Sequence, residues 1–162
     1  MKNKFILLTG IVVVILTAGY FYKKYRVAPD VDFRSLELRM DDEKSFIADI
    51  ESKKILVCFF ATWCRPCMEE LPSLKKAQHI LNDDDLFVVL ISDERMETLN
   101  AFWERTGRQH PFRQSVKKLK ELKIETLPTA YLLNEKREVV FKKVGAVDWG
   151  SEEMIRKIRE AQ

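Results

Sequence analysis

The sequence predicts an α/β fold, a mixed central sheet flanked by helices on both faces. Three observations lead there. Two uninterrupted apolar runs, "KKILVCFF" (53–60) and "LFVVLIS" (86–92), are rich in Val, Ile, Leu and Phe, as strands buried on both faces are. Each is followed by a segment whose apolar residues recur at helical spacing. The chain then closes with two more strand-like runs joined by a turn, and a last helix. The order is β-α-β-α followed by β-β-α, a parallel half and then an antiparallel hairpin.

Taken in order, residues 33–40 are short and loosely alternating, which predicts an edge strand, and residues 44–52 read as a short helix or turn. After the first buried strand, Met68, Leu71, Leu74, Ala77 and Ile80 predict a helix over 65–81. "NDDD" (82–85) predicts a turn; its Asp83–Asp85 run lacks the glycine and distal glutamate of a calcium loop. Met96, Leu99 and Phe102 mark a second helix over 94–105, and "VKKLKELKI" (116–124) predicts a short basic helix. "ETLPTAYLLN" (125–134) and "VVFKKVG" (139–145) are the hairpin strands, and a final helix runs over 152–162 with Ser151 as its N-cap.

Composition narrows the function. Hydrophobic residues make up 46% of the 162 and charged residues 33%, so the chain is globular, while a net charge of +3 with interleaved acids presents no basic face for nucleic acid. Three cysteines and two distant histidines do not supply the four ligands of a structural zinc site. His79 reads as a helix-surface residue, His110 as part of a turn before Pro111, and Trp103 and Trp149 as packing residues.

The first 27 residues differ from the rest. Eighteen uncharged residues, 5–22, lie between Lys2 and Lys4 on one side and Lys23, Lys24 and Arg26 on the other. As a helix they would measure about 27 Å, close to the hydrocarbon thickness of a bilayer. They predict one N-terminal transmembrane helix ahead of a soluble domain over 28–162, joined by the linker "VAPDVD". A cleaved signal peptide is the competing reading, but Thr17-Ala18-Gly19 matches a cleavage site poorly. The flanking charges are balanced and choose no membrane side.

Chemistry concentrates in "FFATWCRPCMEELP" (59–72). Cys64 follows a buried strand and opens a helix, where unpaired N–H groups and the helix dipole favour thiolate, the nucleophile of disulfide exchange. Arg65 adds a cation, and Pro66 is tolerated in a first turn that does not need its N–H. The three-residue offset returns Cys67 to the same side, near enough for a disulfide. So small a loop removes little chain entropy, which argues for a redox couple over a staple. Cys64 is expected to be the exposed attacker and Cys67 the buried resolving thiol.

These residues resemble the thioredoxin superfamily: "ILVCFFATWCRPC" is similar to its strand–loop–helix entry, and "TLPTAYLL" to the segment carrying its cis-proline. Cys64-x-x-Cys67-x-x-Glu70-x-Pro72 is similar, more narrowly, to membrane-anchored, extracytoplasmic reductases of the TlpA/ResA type, some of which serve cytochrome c maturation. The resemblance implies a thioredoxin-like fold and a cis bond between Leu127 and Pro128, with the Leu127 backbone offered to an extended substrate peptide. It implies that Trp63 shapes the docking surface beside Cys64 and that Glu70 handles protons near the couple. Cys58 stands where general thioredoxins carry a buried aspartate; it reads as an inert thiol, with a minority Cys58–Cys67 bridge as the sharper possibility. The expected activity is thiol-disulfide oxidoreduction on disulfide-bearing proteins, through the Cys64–Cys67 pair with no metal or organic cofactor, fed by a transmembrane or thioredoxin-type electron donor. Donation of disulfides, or a non-enzymatic binding module, are the rivals.

Overall fold

The computed structural model describes residues 2–40, 43–82, 86–107 and 110–161, with side chains described at residue 8, residues 10–22 and from residue 27 onward. The Asp83–Asp85 run lies outside the described residues. The elements are α1 (Lys2–Arg26), β1 (Leu38–Met40), β2 (Glu43–Ser45), a 3-10 turn (Ile47–Asp49), β3 (Lys54–Phe59), α2 (Arg65–Leu81), β4 (Leu86–Ser92), α3 (Met96–Arg105), β5 (Phe112–Ser115), β6 (Thr129–Leu133), β7 (Val139–Val144) and α4 (Glu152–Glu160).

The strands form one mixed sheet in the order β2-β1-β5-β4-β3-β6-β7. β3, β4 and β5 run parallel to one another, while β6 pairs antiparallel with both β3 and β7, and β1 pairs antiparallel with β5. β3 is central because its side chains are apolar on both faces. Leu56, Cys58 and Phe60 enter one core, and Ile55, Val57 and Phe59 the other. This is the period-2 alternation of a pleated strand.

Helices do not flank both faces as expected. α2, α3 and α4 all contribute to the core that holds Leu56 and Cys58, through residues such as Leu74, Phe102 and Ile155. The crossovers β3–α2–β4 and β4–α3–β5 step the same way across the sheet, and right-handed crossovers then put both helices on one side. A helix over 116–124 would have covered the other face. That segment is instead a set of turns closed by the bond from Ile124 N–H to the Leu119 carbonyl, with Lys123 at φ 61. A helix cannot continue through a left-handed residue.

The second face is covered by the N-terminal segment. Ala28, Phe33 and Leu36 are buried there with Ile47, Leu119 and Ile124. Phe33 stacks edge-on to Tyr131 at 5.1 Å, whose hydroxyl donates to the Pro29 carbonyl at 2.8 Å, and Lys142 Nζ meets Asp30 at 2.6 Å. "VAPDVD" is therefore a docked strap and not a loose linker; the burial of Phe33 alone contributes about 2 kcal/mol. Of the expected edge strand, only Leu38–Met40 forms, paired antiparallel with β2; of the short helix or turn expected over 44–52, Ile47–Asp49 forms as the 3-10 turn, while Lys44 and Ser45 belong to β2. β5 was not foreseen.

α1 is helical over 25 residues, and its described apolar side chains, Ile11–Leu16 among them, are exposed. Among the described residues no helix is long and apolar enough to cross a membrane. The expected span begins at Phe5, ahead of most of the side chains described.

Candidate active site

Where β3 ends, the Phe60 N–H still donates to the Ile91 carbonyl on β4, so the chain leaves the sheet held in place. It then turns, with Cys64 N–H donating to the Ala61 carbonyl at 3.0 Å, and Cys64 becomes the N-cap of α2. Arg65 and Pro66 occupy the first turn, and the Cys67 N–H, an orphan of that turn, donates to Cys64 Sγ at 3.3 Å. Cys64 and Cys67 form a disulfide with an S–S distance of 2.06 Å.

Cys64 is not exposed as expected. It is 4% accessible and Cys67 2%, both packed in the core with Phe60 and Leu71. Trp63 is 76% accessible, which excludes core filling as its role. Arg65 pairs with Glu69, Nε to Oε1 at 2.9 Å, with both side chains exposed to solvent.

Trp63, Cys64, Arg65 and Pro66 line one side of a groove of about 520 Å³, and Leu127 with Leu119 and Ile124 lines the other. The Leu127–Pro128 bond is cis, as the resemblance implied. Pro128 is held by the Gly145 N–H donating to its carbonyl at 2.8 Å and by Phe59 pairing with Thr129 across β3 and β6. The structure thus brings Trp63, Cys64, Arg65, Pro66 and Leu127 to a single surface, with Pro128 beside Leu127 and Cys67 one turn inside. Glu70 lies elsewhere, on the buried face of α2.

Glu70 is 3% accessible. Its Oε1 accepts from the Trp149 indole Nε1–H at 2.6 Å and the Val147 N–H at 3.0 Å. Burial pushes its carboxyl up to about 7, against the pull of those two donors. Cys58 lies under the same region on β3, fully buried as a free thiol, and burial with the neighbouring Glu70 charge holds it well above the ordinary thiol range. It takes no part in the bridge.

Two residues escaped the sequence reading. Trp149 is the packing residue expected, fully buried and edge-on to Phe141, but it also supplies the indole donor to Glu70. Glu94, just past β4, accepts from both the N–H and the hydroxyl of Thr62 at 2.7 and 2.8 Å and so ties down the loop ahead of Trp63. No local signal marks either, since the partners lie 79 and 32 residues away. His110 is buried against the Leu71 carbonyl, 3.2 Å from Nε2, and burial lowers its pKa; His79 is on the helix surface. Among the described residues no cluster of three or more His, Cys, Asp or Glu is placed to hold a metal ion.

A family model described as Redoxin matches residues 26–158. The chain is 34% identical over 114 residues to thioredoxin-like protein YneN of Bacillus subtilis, a match covering 67% of this chain and 64% of that one. It is 26% identical over 153 residues to thiol-disulfide oxidoreductase ResA of Oceanobacillus iheyensis, covering 85% of this chain and 80% of the relative. Among solved structures it resembles StoA of Bacillus subtilis with a TM-score of 0.59 and 25% identity, over 77% of this chain and 95% of that one.

The buried carboxyl links stability to pH. Folding raises the proton affinity of Glu70, so the protein is favoured while the group is protonated and loses that advantage as pH climbs from the ordinary glutamate range through about 7. Urea unfolding should show stability falling by about 3 kcal/mol across that window from this group. Glu70→Gln, whose amide oxygen still accepts both bonds, should flatten the dependence; an unchanged slope would show that Glu70 is not the group responsible.

Proposed function

The chain belongs to the Redoxin family and is a thioredoxin-like thiol-disulfide oxidoreductase, and from that premise we propose that it reduces disulfides of extracytoplasmic proteins while tethered to the cytoplasmic membrane by residues 5–22. The observation that carries the reading is the Cys64–Cys67 disulfide at the head of α2, in a groove faced by Trp63 and Leu127.

In the reductive direction the Cys64 thiolate attacks one sulfur of a substrate disulfide, forming a mixed disulfide and releasing the first substrate sulfur as thiolate. The helix N-terminus stabilises the attacking thiolate. Pro128 and the Leu127 backbone set the extended substrate segment in register opposite Trp63 and Pro66. Cys67 gives its proton to Glu70 and attacks Cys64 Sγ, closing the 64–67 bridge and expelling the second substrate sulfur, which takes up a proton. Two enzyme thiols become a disulfide as one substrate disulfide becomes two thiols. The oxidised enzyme then needs a donor of two electrons, a transmembrane or thioredoxin-type partner. The pair itself is the redox group, so no metal or organic cofactor enters. Cytochrome c maturation is the process in which such a reductant acts on apoprotein cysteines.

Disulfide donation is the weaker reading. Arg65 beside Cys64 would stabilise the reduced thiolate and make the couple more oxidising, but its pair with Glu69 is solvent-exposed and screened; the resemblance of Cys64-x-x-Cys67-x-x-Glu70-x-Pro72 to the TlpA/ResA-type reductases favours reduction.

Two measurements follow from this mechanism. Cys67→Ser should accumulate a covalent adduct with a disulfide-bearing peptide, seen by mass spectrometry, while Cys64→Ser should form none and lose about a hundredfold or more in insulin-disulfide reduction. An adduct through Cys67 in Cys64→Ser at the wild-type rate would reverse the roles. For the tether, cells labelled with a membrane-impermeant maleimide should modify a cysteine placed at the exposed Glu153, and the full chain should resist extraction at alkaline pH. Labelling only after lysis would put the domain on the cytoplasmic side and remove the maturation role.

A further inference from the structure

We propose that Trp149 is a positioning residue for Glu70: its indole N–H, together with the Val147 amide, pins Oε1, so that Oε2 carries the exchanged proton and the indole bond sets the pH at which Cys67 is deprotonated. The inference rests on the reading of Glu70 as the group that takes the Cys67 proton.

The geometry is asymmetric. Both donors meet the same oxygen, Oε1, at 2.6 and 3.0 Å. Oε2 accepts no hydrogen bond among the described residues. A carboxylate held this way cannot exchange its oxygens by rotation without breaking two bonds in a buried site, so the free oxygen is the one that gains and loses the proton. Both donors favour the charged form.

The loop that carries these donors is itself fastened at both ends. At its start, Gly145, at φ 90, donates its N–H to the Pro128 carbonyl at the edge of the groove. Further along, Ser73 on α2 accepts from the Trp149 N–H at 3.2 Å and shares its hydroxyl proton between the Glu70 carbonyl at 2.8 Å and the Val147 carbonyl at 3.1 Å. Residues 145–149 therefore bridge the substrate-docking proline to the face of α2 that bears Glu70. An apolar ring at 149 would fill the same space against Phe141, but only an indole supplies the donor.

The groups facing Glu70 are few. β3 presents the buried Cys58 thiol, and α2 presents Cys67 one turn earlier. The Leu71 carbonyl beside it is occupied by His110. Asp148 is exposed, its carboxylate taking the Gly150 N–H. From α4, Lys157 Nζ lies over the Phe141 ring at 4.7 Å. No cation pairs with Glu70 among the described residues, so the two hydrogen bonds are what offsets its burial.

The test compares the wild-type chain, Glu70→Gln, Trp149→Phe and a variant with the benzothienyl analogue of tryptophan at position 149, which replaces the N–H with sulfur at nearly constant shape. The readout is the single-turnover release of a chromophoric aromatic thiol from its mixed disulfide with Cys64, followed from pH 5 to pH 10, with the Glu70 carboxyl titrated by carbon-13 NMR. Losing the indole donor should move the limb about one pH unit to the alkaline side, slow release about fivefold at pH 7 and restore it near pH 9. An unmoved midpoint, or an equal loss at every pH, would reduce Trp149 to packing and overturn the inference. If Trp149→Phe does not fold, the analogue alone decides. A limb that survives in Glu70→Gln overturns the Glu70 reading and this inference with it; a limb lost in Glu70→Gln but unmoved by the analogue overturns this inference alone.

Discussion

The pairing of β3 on both of its edges is the constraint on which the site depends. Cys58 stands opposite Leu90 on β4 and Ala130 on β6, and Phe59 opposite Ile91 and Thr129. With side chains buried on both faces, a slip of one residue would exchange Ile55, Val57 and Phe59 for Leu56, Cys58 and Phe60 in two differently shaped cores. The register is therefore locked from both sides. Everything functional is measured from it: β3 delivers Cys64 to the head of α2, and the same register sets Pro128, adjacent to Thr129, at the level where the couple emerges.

The chemistry is built against stability at one place. A glutamate inside the core between a helix and a loop has its charged form penalised by burial, and two donors on one oxygen only partly offset this. A leucine at position 70 would remove the pH-dependent cost but leave the Trp149 indole and the Val147 N–H without an acceptor. In the proposed mechanism a carboxyl raised to about 7 would both accept and return a proton under ordinary conditions. The bridge lies one turn earlier on the same helix, with Trp63 exposed beside it, Leu127 across the groove and the cysteines themselves buried.

Legibility in the sequence followed the range of the forces. α2 was readable to its ends, because Cys64 as N-cap, Pro66 in the first turn and the apolar spacing of Leu71, Leu74 and Ala77 are all local. β3 and β4 were readable from their continuous apolar runs. β5 was not, since "FRQS" is four residues long with a polar pair at its centre and is a strand only because β4 and β1 flank it. Residues 116–124 misled because Leu119 and Leu122 sit at helical spacing among lysines. A segment so short has little helix stability of its own, and both leucines are used to wall the second core instead. In the site, the cysteines, Trp63, Pro66 and Leu127 were legible from one motif and one resemblance. The Trp149 bond and the Glu94 clamp were not, because only the tertiary fold brings those partners together.

Cys64 and Cys67 are proposed to form a reducing couple. The most direct test is the reduction potential of the full-length protein, equilibrated against thioredoxin and glutathione buffers with the fraction of 64–67 bridge read by thiol trapping. A reducing couple should show a potential near or below about −250 mV. A potential of roughly −120 to −180 mV would belong to an oxidant or isomerase and would contradict the proposal.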